Sequence, residues 1–270
     1  MPVGPQDPAR GVLDFPRALQ AFQLDRRPPR PELSPWIENY WEVVWNLPPG
    51  AVHRQTNLSH VAFNLTAEDG AWLYGVPGPT FVRELRESGR VFGVKFHPGA
   101  FFPWLGAPLN GLFDRRVPLT EVLDGWEAWA PLVDAEEDFA EKAAVTDAFL
   151  AARIPEPPGE GRRCVQRMVE DRTLVRVEDA CRVLGHSVRD LQRLFRREVG
   201  ASPKDVLRRY RLMEAAERLA KEPRWTGADL AISLGYTDQA HFIRDFKAVT
   251  GVSPEAYRRR QGGVHEESPP

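Results

Sequence analysis

The sequence predicts an α+β N-terminal domain, an antiparallel sheet or small barrel with added helices, followed by an all-α C-terminal domain of two helix-turn-helix motifs joined by a long helix. Three observations carry this reading. Charge divides at the Pro-rich stretch Ile154-Pro-Glu-Pro-Pro-Gly-Glu-Gly161: residues 1–159 hold 14 Lys+Arg against 21 Asp+Glu, residues 160–270 hold 22 against 17, and residues 162–260 alone hold 22 against 14. Aromatic residues divide at the same place, with seven of eight Trp and eleven of fourteen Phe before residue 160. Finally, the second half contains an internal repeat with helical periodicity.

The 270 residues suffice for about two domains, and 42% hydrophobic with 27% charged residues is the balance of a chain that buries a core. That balance excludes disorder for most of it. No run of about 18 apolar residues exists, and the opening MPVGPQDPAR lacks the basic-then-apolar layout of a secretory signal, so a cytoplasmic protein with no membrane partner is expected. Cys164 and Cys181 stand without a second pair and make neither a disulfide framework nor a zinc site.

The first thirty-five residues are rich in Pro and Arg and read as an irregular lead-in with one short helix around Ala18 to Leu24. Four β-branched and aromatic runs follow, at 40–45, 60–66, 71–76 and 91–97, separated by turn chemistry at Pro48-Pro-Gly50, Glu68-Asp-Gly70, Pro77-Gly-Pro79 and Ser88-Gly89. Past Pro98 the spacing turns helical, over 100–105 and again over 136–152, where Phe139, Ala143, Thr146 and Leu150 share a face. These boundaries give an N-terminal domain over 1–153, a Pro-rich linker over 154–161, a helical domain over 162–260 and a disordered tail over 261–270.

Within the helical domain, Leu184-Gly185 recurs as Leu234-Gly235, and Leu191 to Pro203 recurs as Phe242 to Pro254. The offset is 50 at the Leu-Gly pair and 51 from Phe195/Phe246 onward, so the second turn holds one extra residue. Each copy reads as a supporting helix, a turn at Gly and a second helix with a basic face. In the first copy Ser187 followed by Asp190 resembles a capping box. With Leu191, Leu194 and Phe195 inward, Arg189, Gln192, Arg193 and Arg196 point outward. In the second copy Asp238 is the cap, Phe242 and Phe246 point inward, and Gln239, His241, Arg244 and Lys247 occupy the outer arc. Arg and Gln read base edges, and Arg and Lys neutralise phosphate. The pattern opened by Pro203 runs about 17 residues, or about 26 Å, a spacer able to hold two recognition helices about one duplex turn, roughly 34 Å, apart.

Ala180, Leu184-Gly185, Ser187, Leu191 to Phe195 and Gly200 to Pro203, with Leu230-Ala231, Leu234 to Tyr236, Asp238-Gln239, His241-Phe242, Arg244, Phe246-Lys247 and Gly251 to Pro254, resemble the two-motif DNA-binding domain of the AraC/XylS family of transcriptional regulators. The resemblance implies that Arg189, Gln192 and Arg193, and Gln239, His241 and Arg244, face the major groove. The stretch Val91 to Phe101, with its flanking Ile37 to Trp41, Gly106 to Pro108 and Val117 to Leu119, is similar to the sensor region of a subgroup of these regulators. In the family such regions bind effectors or mediate dimerisation. The metal-binding cupin pattern is missing, since no His-x-His pair exists; His53, His60 and His97 read as hydrogen-bonded structural residues.

The function expected is thus a sequence-specific transcription regulator controlled by a small-molecule effector on the N-terminal domain, with control by abundance or by a protein partner as the alternative. Duplex DNA is the expected partner; RNA polymerase, the effector and a second copy of the chain are candidate partners. No cofactor and no metal are expected. Enzyme motifs such as Gly-x-Ser-x-Gly or His-Glu-x-x-His are missing, and alkyl-transfer repair, known in the family, needs cysteines before Cys164. The acids Glu136-Glu137-Asp138 read as a solvated helix surface, and both cysteines as small hydrophobes.

Overall fold

The computed structural model describes residues 15–78, 80–221 and 225–262. After a helix α1 (Phe15–Ala21), eight strands build the first half: β1 (Phe22–Arg27), β2 (Ile37–Asn46), β3 (Val52–Leu58), β4 (Asn64–Ala67), β5 (Ala71–Tyr74), β6 (Thr80–Arg86), β7 (Ser88–Phe96) and β8 (Arg116–Pro118). Six pair antiparallel in the order β1-β2-β7-β4-β5-β8, and β3 pairs with β6 as a separate two-stranded ribbon. Four of these strands, β1, β3, β6 and the three-residue β8, lie outside the runs expected from sequence. The helix expected around Ala18 to Leu24 ends at Ala21, because Phe22 to Arg27 finds a full antiparallel partner in β2 and alternates buried and exposed positions. Likewise β3 and β6, rich in Arg, Gln and Glu, carry a weak apolar signal and are held as strands by each other.

Successive side chains on a strand face opposite ways, and the large sheet uses this fully. From β7, Phe92, Val94 and Phe96 enter one core with Leu65, Leu73 and the helices α2 (Phe102–Leu105), α3 (Trp129–Asp134) and α4 (Phe139–Ala151). Asn39, Trp41 and Val43 of β2, Asn64 and Thr66 of β4, and Val91 and Lys95 of β7 turn the other way, toward the β3–β6 ribbon. Helix α4 buries more than the expected face of Ala143, Thr146 and Leu150: Lys142 and Asp147 are buried too. Tyr40 donates its hydroxyl to Asp147 at 2.7 Å, and Lys142 pairs with the buried Glu42 of β2, so both groups are held by the sheet. The acids Glu136 to Asp138 lie before α4 rather than on it. Asp138 caps the helix by accepting from Ala140 N, and Glu137 pairs with Arg90 at 2.9 Å.

Beyond the Pro-rich stretch come α5 (Glu160–Glu170), α6 (Val177–Leu184), α7 (Val188–Glu198), α8 (Pro203–Lys221), α9 (Gly227–Ser233), α10 (Gln239–Thr250) and α11 (Pro254–Gly262). Helix α5 thus starts inside the stretch read as linker, and Trp36 Nε1 donates to the Glu156 carbonyl at 3.2 Å across it. One hydrophobic cluster runs from the sheet through Phe63, Phe101 and Leu109 into Cys164, Leu191, Phe195 and Val206, so the first helix-turn-helix shares its core with the sheet. A second cluster joins α8 to α11 around Phe242 and Phe246 and takes in Leu58 of β3; Thr80 Oγ1 donates to the Val249 carbonyl at 2.7 Å nearby. At this junction Arg209 of α8 is 3% exposed, stands 5.9 Å from the Phe113 ring and has no hydrogen-bond partner; burial lowers its pKa. Residues 263–270, the larger part of the expected tail, lie outside the described residues.

The Lys142–Glu42 pair gives a direct test of the sheet-to-helix layer. Lys142→Ala leaves Glu42 buried without its cation and is expected to cost about 3–5 kcal/mol, while Glu42→Leu with Lys142→Met costs far less. Urea unfolding of both variants checks this; equal losses would mean that packing, not charge, dominates there.

Candidate functional site

Two regions are candidates: the outer faces of α7 and α10, and the cavity between sheet and ribbon. In the first helix-turn-helix, α6 ends at Gly185 in the left-handed region (φ 71), and the His186 amide reaches back to the Cys181 carbonyl at 3.0 Å. The second turn repeats this with Gly235 (φ 71) and Tyr236 N to Ala231 O at 2.9 Å. The chains then diverge by one residue: α7 is capped by Ser187, two positions after its glycine, and α10 by Asp238, three positions after. This is the change of offset from 50 to 51 in the repeat.

Ser187 accepts from Asp190 N at 3.1 Å, as a cap should, but the other half of the box is missing: the Asp190 carboxylate instead takes the Ser187 hydroxyl at 2.7 Å, which lowers its pKa. Arg193, 75% exposed, pairs with Asp190 at 2.8 Å, so its guanidinium is pre-placed over the first turn of α7. Arg189, Gln192 and Arg196 are exposed around it, and Leu191 and Phe195 are fully buried beneath. On α10, Asp238 accepts from His241 N at 2.7 Å, and Gln239, Arg244 and Lys247 are exposed above the buried Phe242 and Phe246. The His241 ring meets Tyr236 edge-on with centroids 5.2 Å apart and lies 3.9 Å from Asp245, which also takes the Tyr236 hydroxyl at 3.3 Å. All ten residues singled out from sequence therefore lie on two helix faces or their caps.

Helix α8, 19 residues and about 28 Å long, joins the two units. Sequence reasoning missed that they also touch. A Cβ on Gly235 would lie 2.7 Å from Val175, Arg211 donates to the Leu234 carbonyl at 3.3 Å, and Glu214 of α8 binds both Arg172 at 2.9 Å and Arg218, whose other nitrogen reaches Ser233 at 3.1 Å. The second unit is thus seated on the loop that precedes α6.

The cavity holds about 230 Å³ between the large sheet and the ribbon. Its wall includes Trp41, which stands opposite Gly93 in the β2–β7 register, as Trp45 stands opposite Gly89. A Cβ on Gly93 would come within 2.2 Å of the Trp41 ring, so the glycine lets the indole lie on the strand. A glycine inside a strand signals such a close approach, and it was the one sequence clue to this site. Of the histidines, His53 contacts Gln55 at 3.1 Å and His60 packs edge-on against Tyr210. His97 is held near pKa 4, first by burial and then by Arg162. Cys164 and Cys181 are buried, and burial pushes the Cys164 thiol up to about 11. Among the described residues no cluster of metal-ligating side chains occurs.

Comparison with known proteins bears on the helical region first. Residues 180–260 match the family model described as a helix-turn-helix domain. They are also similar to transcription regulators: 32% identity over 90 residues to the activator AarP of Providencia stuartii, 33% of this chain and 66% of that protein, and 36% over 85 residues to the activator RhaR of Pectobacterium carotovorum, 32% and 30%. The chain carries an AraC-family helix-turn-helix domain. Similarity to the regulator GlxA of Rhizobium meliloti, 31% identity over 142 residues, covers 46% of this chain and 43% of that one. This chain thus spans two thirds or less of the length of these relatives, all of which are regulators of transcription rather than enzymes. Residues 25–118, from β1 to β8, match a model described as a domain of unknown function, DUF6597. Among solved structures, ToxT K231A of Vibrio cholerae aligns over 82% of this chain and 97% of its own, at 12% identity and a TM-score of 0.44.

The two turns of the AraC-type domain differ in a way that mutation reads out. Alanine at Gly185, with open space around it, should cost about 1–2 kcal/mol for its left-handed backbone alone. Alanine at Gly235 adds the collision with Val175 and should cost about 1–3 kcal/mol more. Thermal melts of both variants decide it; equal costs would remove the contact between the units.

Proposed function

We propose that the chain is a sequence-specific DNA-binding regulator of transcription, with the outer faces of α7 and α10 as its reading heads. The observation that carries this is the presentation of Arg189, Gln192, Arg193 and Arg196 on one exposed helix face and of Gln239, His241, Arg244 and Lys247 on its repeat. Ser187 and Asp238 set where each helix begins. The +8 balance of residues 162–260 supplies the non-specific attraction to a polyanion.

In this reading residues 1–153 form the sensor or dimerisation unit, 154–161 connect it to the DNA-binding unit of 162–260, and 261–270 form a tail. A small molecule held in the sheet–ribbon cavity controls DNA affinity, which the contacts of β3 and β6 with the second helix-turn-helix support. RNA polymerase and a second copy of the chain are further partners, and the cytoplasm is the site of action; among the described residues no helix is long and apolar enough to cross a membrane. The alternative, control by abundance or by a protein partner, is separated by a thermal-shift screen of the full chain against a metabolite panel: a bound effector raises Tm with its occupancy, and no hit across the panel would favour the alternative.

On a selected operator, one chain is expected to protect about 20 base pairs. Arg193→Ala and Arg244→Ala should each relax base preference at positions one turn apart, by about 1–3 kcal/mol. Lys247→Ala should instead weaken all sequences alike and reduce the salt slope by about one. Footprinting and salt titration check this. Base preference unchanged by Arg193→Ala would overturn the role of α7, and a loss with Arg193→Ala alone would leave α10 as an anchor.

A further inference from the structure

We infer that the cavity between the sheet and the ribbon takes a small, uncharged, planar ring compound bearing a hydrogen-bond acceptor. This rests on the reading of the N-terminal unit as a sensor and gives its ligand a chemical class. The floor of the cavity is the Trp41 indole. With hydrogen alone at Gly93, three of its ring atoms lie within 2.2–2.6 Å of where a Cβ would stand, so the ring is pressed flat on β7 and offers one π face. Its Nε1–H donates to Asn64 Oδ1 at 3.2 Å, which fixes the ring in its plane. The ribbon contributes Phe81, packed edge-on against Tyr74 with centroids 6.2 Å apart. A flat face with aromatic edges beside it favours a planar guest, because stacked and edge-to-face contacts can form together.

The polar groups specify the rest. Ser59 and Thr66, 6% and 3% exposed, line the same cavity, and neither hydroxyl has a hydrogen-bond partner within the chain. Buried hydroxyls are ordinarily satisfied; both oxygens are covered in the unliganded chain, and a guest carbonyl or ring nitrogen would accept from them after rotation of the side chains into the cavity. Charge, by contrast, is already answered by the protein: Arg83 is paired with Glu68, and Lys95 Nζ lies 2.9 Å from Glu38. An anion would have to displace one of these carboxylates or compete with the existing interactions of Arg26 on β1. The volume of about 230 Å³ corresponds to roughly eight waters at about 30 Å³ each, enough for one or two fused rings of about a dozen heavy atoms.

The test titrates the full-length protein with naphthalene carboxamide, naphthalene carboxylate, decanoate and xylose, reading Tm and tryptophan fluorescence. The carboxamide is expected to raise Tm by about 3 °C at millimolar concentration and to quench fluorescence. Trp41→Leu should abolish both responses. Ser59→Ala with Thr66→Val should weaken binding about tenfold without lowering the Tm of the unliganded protein, which keeps the test decisive should Trp41→Leu fail to fold. Tenfold tighter binding of the carboxylate or decanoate, lost in Arg26→Gln, would overturn the inference in favour of an anion. A response to xylose alone, carboxamide binding that survives Trp41→Leu, or no response to any of the four would overturn it as well. In each of these cases the effector reading still rests on the metabolite screen, so the two failures are separable.

Discussion

Because side chains alternate along a strand, the antiparallel register of β2 against β7 commits every residue of both strands to one of two fates. Phe92, Val94 and Phe96 enter the helix-covered core, while Trp41, Trp45, Gly89 and Gly93 fall on the opposite face. A slip of one residue would exchange these sets, placing glycines in the core and phenylalanines in the cavity. The register is held from outside the sheet as well, since Tyr40 and Glu42, on either side of Trp41, reach Asp147 and Lys142 of α4. Cavity, core and helix layer are therefore three results of one alignment.

The same core extends past the Pro-rich stretch. Gly200, at the end of the first recognition helix, would meet the Phe63 ring at 3.1 Å if it carried a Cβ, and Phe63 stacks on Phe101 with centroids 4.9 Å apart. Glu198, buried beside it, accepts from Gly161 N at 2.8 Å, tying the start of α5 to the end of α7. The first recognition helix is thus positioned from beneath by the sheet domain. The second is positioned by α8, by the loop around Val175 and by β3.

The helical half was legible because its signals are local. Gly185, Gly235, Ser187 and Asp238 each act within a few residues of themselves, and the repeat displays them twice. The apolar positions Leu191, Phe195, Phe242 and Phe246 follow from helical periodicity in the same way. The sheet half was legible only where apolar residues run continuously, in β2, β4, β5 and β7. Strands β3 and β6 are made by pairing 22 to 34 residues apart in sequence, and β1 by pairing with β2, so propensity at Val52–Leu58 or Phe22–Arg27 carries little of the information. The cavity was hidden for the same reason: Trp41 and Gly93 are 52 positions apart, and only the register makes them neighbours.

The guanidinium of Arg209 bears on how firmly the two halves hold together. A cation removed from water without hydrogen bonds opposes the apolar burial around it, and Asp205 and Asp114 attract it only from a distance. The seam between the halves consequently joins less tightly than its hydrophobic area implies. Separation would rehydrate Arg209 and return part of that energy, so the apolar contacts around it, rather than its charge, hold the halves together.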